Sequence, residues 1–221
     1  MGILALSAIM VAGAGFYLFS KSFPNFKPGD KKIQADLKAI RKEVLDAMPD
    51  LSPLRMEDME SLSSKEIDKS VKKRVTTDQR GVFVTIFEEP AAAYYHRRYL
   101  SNNRDALLFA KTYHHEYNFW IKGDEANLVI DQLPVGVYNE KTGVLIGARS
   151  QKMIAKLDKS KPEKMAMTIQ GRNVGNIVMP RPGAKDNLSQ RCFDFVRNDL
   201  TKEEEAILLA IAIYEMVERT V

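Results

Sequence analysis

Residues 206–217, AILLAIAIYEMV, are apolar or Tyr at every position but Glu215. An α-helix over such a stretch has no polar face to turn to water, so it needs burial on all sides or a bilayer. The uninterrupted run 206–214 is far too short to cross a hydrocarbon core about 30 Å thick, which leaves the interior of a protein. The helix start is also written into the chain. Thr201 and Glu204 have the spacing of a capping box, and Glu203, Glu204 and Glu205 complement the positive end of the helix dipole, predicting a first turn near Lys202.

A sheet surrounds a helix completely only if it curls into a barrel, and closure also removes exposed strand edges. The sequence offers the strands. Residues 82–87, 106–113, 117–121, 127–133, 144–148, 164–169 and 176–179 are rich in β-branched and aromatic side chains. Pro134-Val135-Gly136, the stretch from Asn139 to Gly143, and Gly171-Arg172-Asn173 carry turn chemistry between them. Residues 148–163 are basic and read as a frayed strand or a short helix. The expected fold is mainly β within the α+β class: a closed antiparallel barrel enclosing a hydrophobic C-terminal helix. Its buried core on that helix is Ile207, Leu208, Leu209, Ile211, Ile213 and Tyr214.

At the other end, MGILALSAIMVAGAGFYLFS has no side-chain charge before Lys21. Twenty helical residues span about 30 Å, so residues 3–20 read as an N-terminal transmembrane helix. The rival reading is a cleaved signal peptide, exporting the protein, because Ala12-Gly13-Ala14 resembles a cleavage site. Against it, no basic segment precedes the apolar run, which continues through Phe16, Tyr17, Leu18 and Phe19. N-myristoylation fits poorly with Leu6 where Ser or Thr belongs. Lys21, Lys27, Lys31 and Lys32 follow the span, which places the globular part of a single-pass protein on the cytoplasmic side.

Beyond the anchor, SFPNFKPGD breaks the chain, and an amphipathic helix follows with Ile33, Leu37, Ile40, Val44 and Met48 in one stripe until Pro49 ends it. The stripe packs against the domain or, through residues 31–48, against a protein partner. Residues 49–80 read as a linker. The expected division is therefore an anchor over 1–22, a juxtamembrane helix and linker over 23–80, and the barrel domain over 81–221. Within the linker, Lys72, Lys73 and Arg74 form a basic run. Such a run is usually only solvated, but on a membrane-tethered chain it meets anionic headgroups, and Arg97 and Arg98 are the next candidates.

The tail FDFVRNDLTKEEEAILLAIAIYEMVE, in which an Asp-containing strand leads through a Leu into the apolar helix, resembles the phospholipid scramblase, tubby and LURP-one superfamily. YNFWI…NLVIDQLPVGVY and MTIQGRNVGNIV look like its paired strands. The likeness covers residues 81–221 and implies a barrel threaded by the last helix, with membrane lipids as partners. It also has limits. Those relatives that move lipid have a membrane helix close to the barrel and a Cys-rich stretch, whereas here the hydrophobic segment is N-terminal and Cys192 is the one cysteine. Only Asp194 and Asp199 stand where an acidic calcium-binding stretch is proposed, too few oxygens for such a site. No segment reproduces the tubby phosphoinositide motif. Lipid transport rests on the family name alone.

The remaining chemistry is sparse. Thirty-three basic against 29 acidic residues give a net charge of +4, which is no nucleic-acid signature. A single cysteine excludes an internal disulfide framework and is expected as a buried, inert thiol. In His114-His115-Glu116, strand alternation would let only His114 and Glu116 share a metal, and no metal site is expected. His96 reads as a surface residue. The stretch from Gly143 to Gly147 sits in a hairpin-like strand and makes a poor phosphate cradle. Neither a catalytic residue nor a cofactor is expected. Two functions remain: a non-enzymatic, membrane-anchored module that engages lipid headgroups or organises a membrane, or a structural scaffold subunit of a larger membrane complex.

Overall fold

The computed structural model describes residues 28–101, 103–161, 163–178 and 191–220. The anchor expected over residues 3–20 lies outside them. Helix α1 (Asp30–Ala47) and a short 3-10 helix (Met56–Ser61) precede twelve strands. These are β1 (Leu62–Lys73), β2 (Thr77–Thr85), β3 (Pro90–Arg98), β4 (Ala106–Thr112), β5 (Glu116–Lys122), β6 (Glu125–Ile130), β7 (Leu133–Asn139), β8 (Val144–Gly147), β9 (Met153–Leu157), β10 (Lys164–Ile169), β11 (Arg172–Val178) and β12 (Phe193–Val196). Helix α2 (Lys202–Thr220) follows β12. Among the described residues no helix is long and apolar enough to cross a membrane.

Each strand pairs antiparallel with its neighbours in sequence, giving one twelve-stranded meander. Its ends meet where Ser63 and Arg191 form an antiparallel bridge and Cys192 N–H donates to the Leu62 carbonyl at 2.7 Å. The barrel is thus nearly closed rather than continuously hydrogen-bonded. At the seam a twelve-residue β1 faces a four-residue β12. Register shifts around Glu66 and between Ile67 and Ser70, a positive φ of 52° at Asp68, and lysines 65, 69, 72 and 73 break up the β1 edge. These are the devices that keep an edge strand from pairing with another chain.

Helix α2 fills the barrel. The capping box forms as the sequence predicts: Thr201 N–H donates to Glu204 Oε2 at 2.8 Å and Glu204 N–H to Thr201 Oγ1 at 3.2 Å. From Ala206 to Val217 no residue is more than 5% exposed, and the six expected core residues are all among them. Phe83, Leu108, Phe119, Leu128, Tyr138 and Met167, from β2, β4, β5, β6, β7 and β10, share their hydrophobic cluster. Burial of an all-round apolar helix is thereby achieved inside protein.

The stripe on α1 is covered by the chain's own barrel. Ile33, Ile40 and Val44 pack with Val82, Ala93, Tyr95, Tyr99, Leu107 and Phe109 on the outer face of β2–β4. Those strands are consequently buried on both faces.

Several expected boundaries move. The linker read over residues 49–80 instead contains the 3-10 helix, all of β1 and the start of β2, so the strands begin at Leu62 and not at Gly81. Strands β3 and β7 are added to the expected set, and the stretch read as a frayed strand or a short helix holds strand β9. Pro134-Val135-Gly136 lies inside β7, and the turn falls one step earlier, at Asp131 and Gln132, both with positive φ. Gly143 is a turn residue as expected. Its φ is +68°, and a Cβ there would lie 2.1 Å from the Leu157 carbonyl oxygen, so only Gly fits.

Candidate functional site

In an up-and-down meander alternate turns lie at the same end. We call the end carrying the turns after β1, β3, β5, β7 and β9 the upper rim. Helix α1 starts there: Asp36 meets Arg97 and Tyr99 near the upper end of β3, whereas Glu43, further along, meets Arg80 lower on β2. The chain preceding residue 28 therefore joins the domain at the upper rim. Helix α2 ends there too, since Glu218 reaches Arg104 in the β3–β4 turn.

The β1–β2 hairpin is a prominent feature of that rim. Lys72, Lys73 and Arg74 are exposed on it, and among the described residues none of the three makes an ion pair. The cross-strand neighbour of Lys72 is Asp78, but that carboxylate is already occupied. Arg97 grips it with Nε at 2.8 Å and Nη2 at 3.0 Å. Burial alone would push the Asp78 carboxyl up; the Arg97 hydrogen bonds and charge outweigh it and hold the carboxyl below its ordinary value. Val71 and Val75 flank the cations with 47% and 42% of their surface exposed, and Leu100 in the next turn of the rim is 46% exposed.

The basic candidates thus separate. Lys72, Lys73 and Arg74 stand together and free of acidic partners. Arg97 is instead enclosed beneath α1, where it also contacts Asp36 at 3.3 Å, donates to the Tyr95 hydroxyl at 3.2 Å and sits over the Tyr95 ring. Burial opposes its charge, but Asp78 more than compensates and raises its pKa further. Arg98 is half-buried, and its charge helps to keep the Glu218 carboxyl low. Neither presents itself to a surface in the way the hairpin does.

A polar cluster closes the inside of the upper rim. Glu215, the lone charge within the apolar stretch of α2, accepts from the Tyr138 hydroxyl at 2.8 Å and pairs with Lys159 at 2.5 Å. Burial, reinforced by Glu215, pushes the Tyr138 phenol far up. His96, expected at the surface, is 1% exposed and lies 3.3 Å from Glu218. Its neighbours in sequence, Arg97 and Arg98, suggested exposure, but β3 alternation turns the imidazole inward. Glu140 has its carboxyl raised, first by burial, with Glu218 and Glu215 adding to the effect against Arg104 and Lys159. These groups are internal partners that let the end of a helix carrying Glu215 and Glu218 sit inside a barrel.

The His114-His115-Glu116 arrangement also differs from expectation. Both histidines lie in the β4–β5 turn and not on a strand. His115 Nδ1 meets Asp131 at 2.6 Å, and Arg41 takes Glu116 with two hydrogen bonds of 2.8 and 3.0 Å. Among the described residues no group of three or more His, Cys, Asp or Glu is placed to hold a metal. Cys192 is fully buried and burial raises its thiol pKa well above the ordinary value, which suppresses the reactive thiolate.

Two further surfaces escaped the sequence reading. A groove of about 370 Å³ opens between α1 and β1–β3, with Arg80 and Lys69 at its lip and Val44, Val82 and Ala93 on its floor. At the lower rim, Phe87, Tyr113, Leu133 and Met153 are 72%, 56%, 66% and 57% exposed. They occupy four successive lower turns or their flanks. Isolated exposed apolar residues carry no signal in a sequence, and their alignment depends on the barrel topology. Comparison of the chain with protein-family models, with curated proteins and with solved structures finds no match.

Proposed function

We propose that the protein is a membrane-anchored, non-enzymatic module. Its upper rim rests on the anionic headgroups of the bilayer that holds its N-terminal segment, on the cytoplasmic side, where it organises the membrane around it. One observation carries this reading: the three unpaired cations of the hairpin stand at the same end of the barrel at which α1 begins. Kinship with the scramblase, tubby and LURP-one superfamily belongs to the same proposal. It is supported by the twelve-stranded meander around a buried last helix.

Each basic residue close to an anionic surface contributes about 1 kcal/mol, screened over a Debye length of about 10 Å. The test is the full chain reconstituted in nanodiscs, with a fluorophore on Thr76→Cys reporting proximity to labelled headgroups. Cys192 is buried and stays unlabelled. Energy transfer should be stronger with phosphatidylserine than with phosphatidylcholine alone and should fall with salt. Changing Lys72, Lys73 and Arg74 together to Gln should remove that difference. Transfer that is independent of lipid charge and salt in the unchanged chain would refute the proposal.

The scaffold reading keeps one specific support, the four exposed apolar residues of the lower rim, which face away from the entry point of the anchor. It is favoured instead if a stoichiometric protein partner co-purifies in mild detergent and Phe87→Ser with Leu133→Ser releases it, while the triple Gln change leaves it bound.

A further inference from the structure

We infer that the upper rim enters the bilayer as well as resting on it: Val75 and Leu100 form an apolar wedge that penetrates to the boundary between headgroups and acyl chains. This rests on the headgroup reading above and adds a depth to it. The geometry is set by register. Strand β2 begins at Thr77 opposite Arg98 of β3, so Val75 and Leu100 each lie two residues beyond the same cross-strand pair and project from the same corner of the rim. Val71 adds apolar surface further down the hairpin, which turns tightly through an Arg74 N–H to Thr76 carbonyl bond of 2.9 Å.

No interior contact needs these side chains. Val71, Val75 and Leu100 are all more than two-fifths exposed, and none of them belongs to either hydrophobic cluster. Exposed aliphatic side chains interleaved with unpaired cations are the composition of a surface that lies in the bilayer interface, with charge at the phosphates and methyl groups below them. A protein partner would be expected to offer carboxylates to the same cations. The start of α1 at this rim favours the bilayer, because the apolar segment read as an anchor precedes it by only a short stretch of sequence. The anionic leaflet of that bilayer complements Lys72, Lys73 and Arg74.

Acyl-chain depth separates this inference from headgroup contact. Full chain labelled at Thr76→Cys is placed in nanodiscs of phosphatidylcholine and phosphatidylserine whose acyl chains carry bromine, a short-range quencher. The expected result is strong quenching at position 76 and none at a Phe87→Cys control on the lower rim. Val75→Ser with Leu100→Ser should shift the apex out of the acyl region by roughly a factor of ten. Val75→Leu with Leu100→Phe should deepen it. Both pairs are exposed, so thermal melts should match the unchanged chain. If bromine never quenches the Thr76→Cys label while transfer to headgroups keeps its dependence on lipid charge, insertion is refuted and the headgroup reading stands. If both signals are absent, both fall. Quenching that survives the Ser pair would refute the wedge as the inserting element.

Discussion

Replacing Leu209 or Ile211 by Asp should abolish cooperative unfolding and leave the protein insoluble or molten at room temperature. The two side chains are 2% and 0% exposed inside the barrel, within the hydrophobic cluster that α2 shares with the strands. An unpaired carboxylate there costs several kcal/mol even if it protonates, against a stability of about 5–15 kcal/mol for an ordinary domain. Leu209→Met, which keeps volume and polarity, should cost less than about 1.5 kcal/mol. The check is the melt followed by near-UV circular dichroism. An Asp variant with an unchanged transition would mean that the barrel does not enclose this helix.

The second large effect is expected at Arg97. Arg97→Met should destabilise the fold by about 2–4 kcal/mol, because it leaves Asp78 without its cation beneath α1, whereas Asp36 keeps Lys32 and the Tyr99 hydroxyl. The dependence on pH has a definite sign. Asp78 has a depressed pKa in the native state, so its contribution is present above its ordinary value of 3.8 and lost as the pH falls through the lower, native one. The deficit of Arg97→Met should therefore be full at neutral pH and narrow below about pH 4. Denaturant melts of both proteins across that range measure it. Arg97→Lys should rescue only partly, since an ammonium cannot reproduce the two-toothed grip on Asp78. A lipid-binding role for Arg97 would appear as the opposite pattern: an unchanged melt with altered headgroup contact.

The contrast between Arg97 and Lys72 shows what the sequence can carry. Both read as basic surface positions. Only tertiary packing decides that α1 covers one and leaves the other in solvent, and no local pattern records that. The tail was legible because an apolar perimeter has a single solution in water, and β10 was read to the residue for its plain alternation between polar turns. Strand β1 was not legible. It lies at the seam with much of its length facing water, so its lysines masked the pattern that a half-buried strand shows. Strand β7 was hidden by Pro134 and Gly136, which normally punctuate loops. Pro134 is tolerated because it sits at the register shift opposite Val129, where the ladder bond that it cannot donate is already disrupted. His96 was misplaced because β3 is covered on both faces, by α2 inside and α1 outside, so its sequence lacks the alternation of polar with apolar residues that shows which side faces the interior.

The order of the parts along the chain also fixes an order of assembly. Each strand pairs with the one just made, so hairpins can form from local contacts as the chain emerges from the ribosome. Yet the side chains those strands turn inward have no filling until α2, which follows all twelve of them, has been synthesised. A nascent chain halted before Thr201 is a ribbon with its greasy side bare, the kind of species that chaperones bind and that aggregates without them. A premature stop just before α2 should thus be as damaging as one that removes most of the domain. Residues translated after every strand decide whether the earlier ones keep any structure at all.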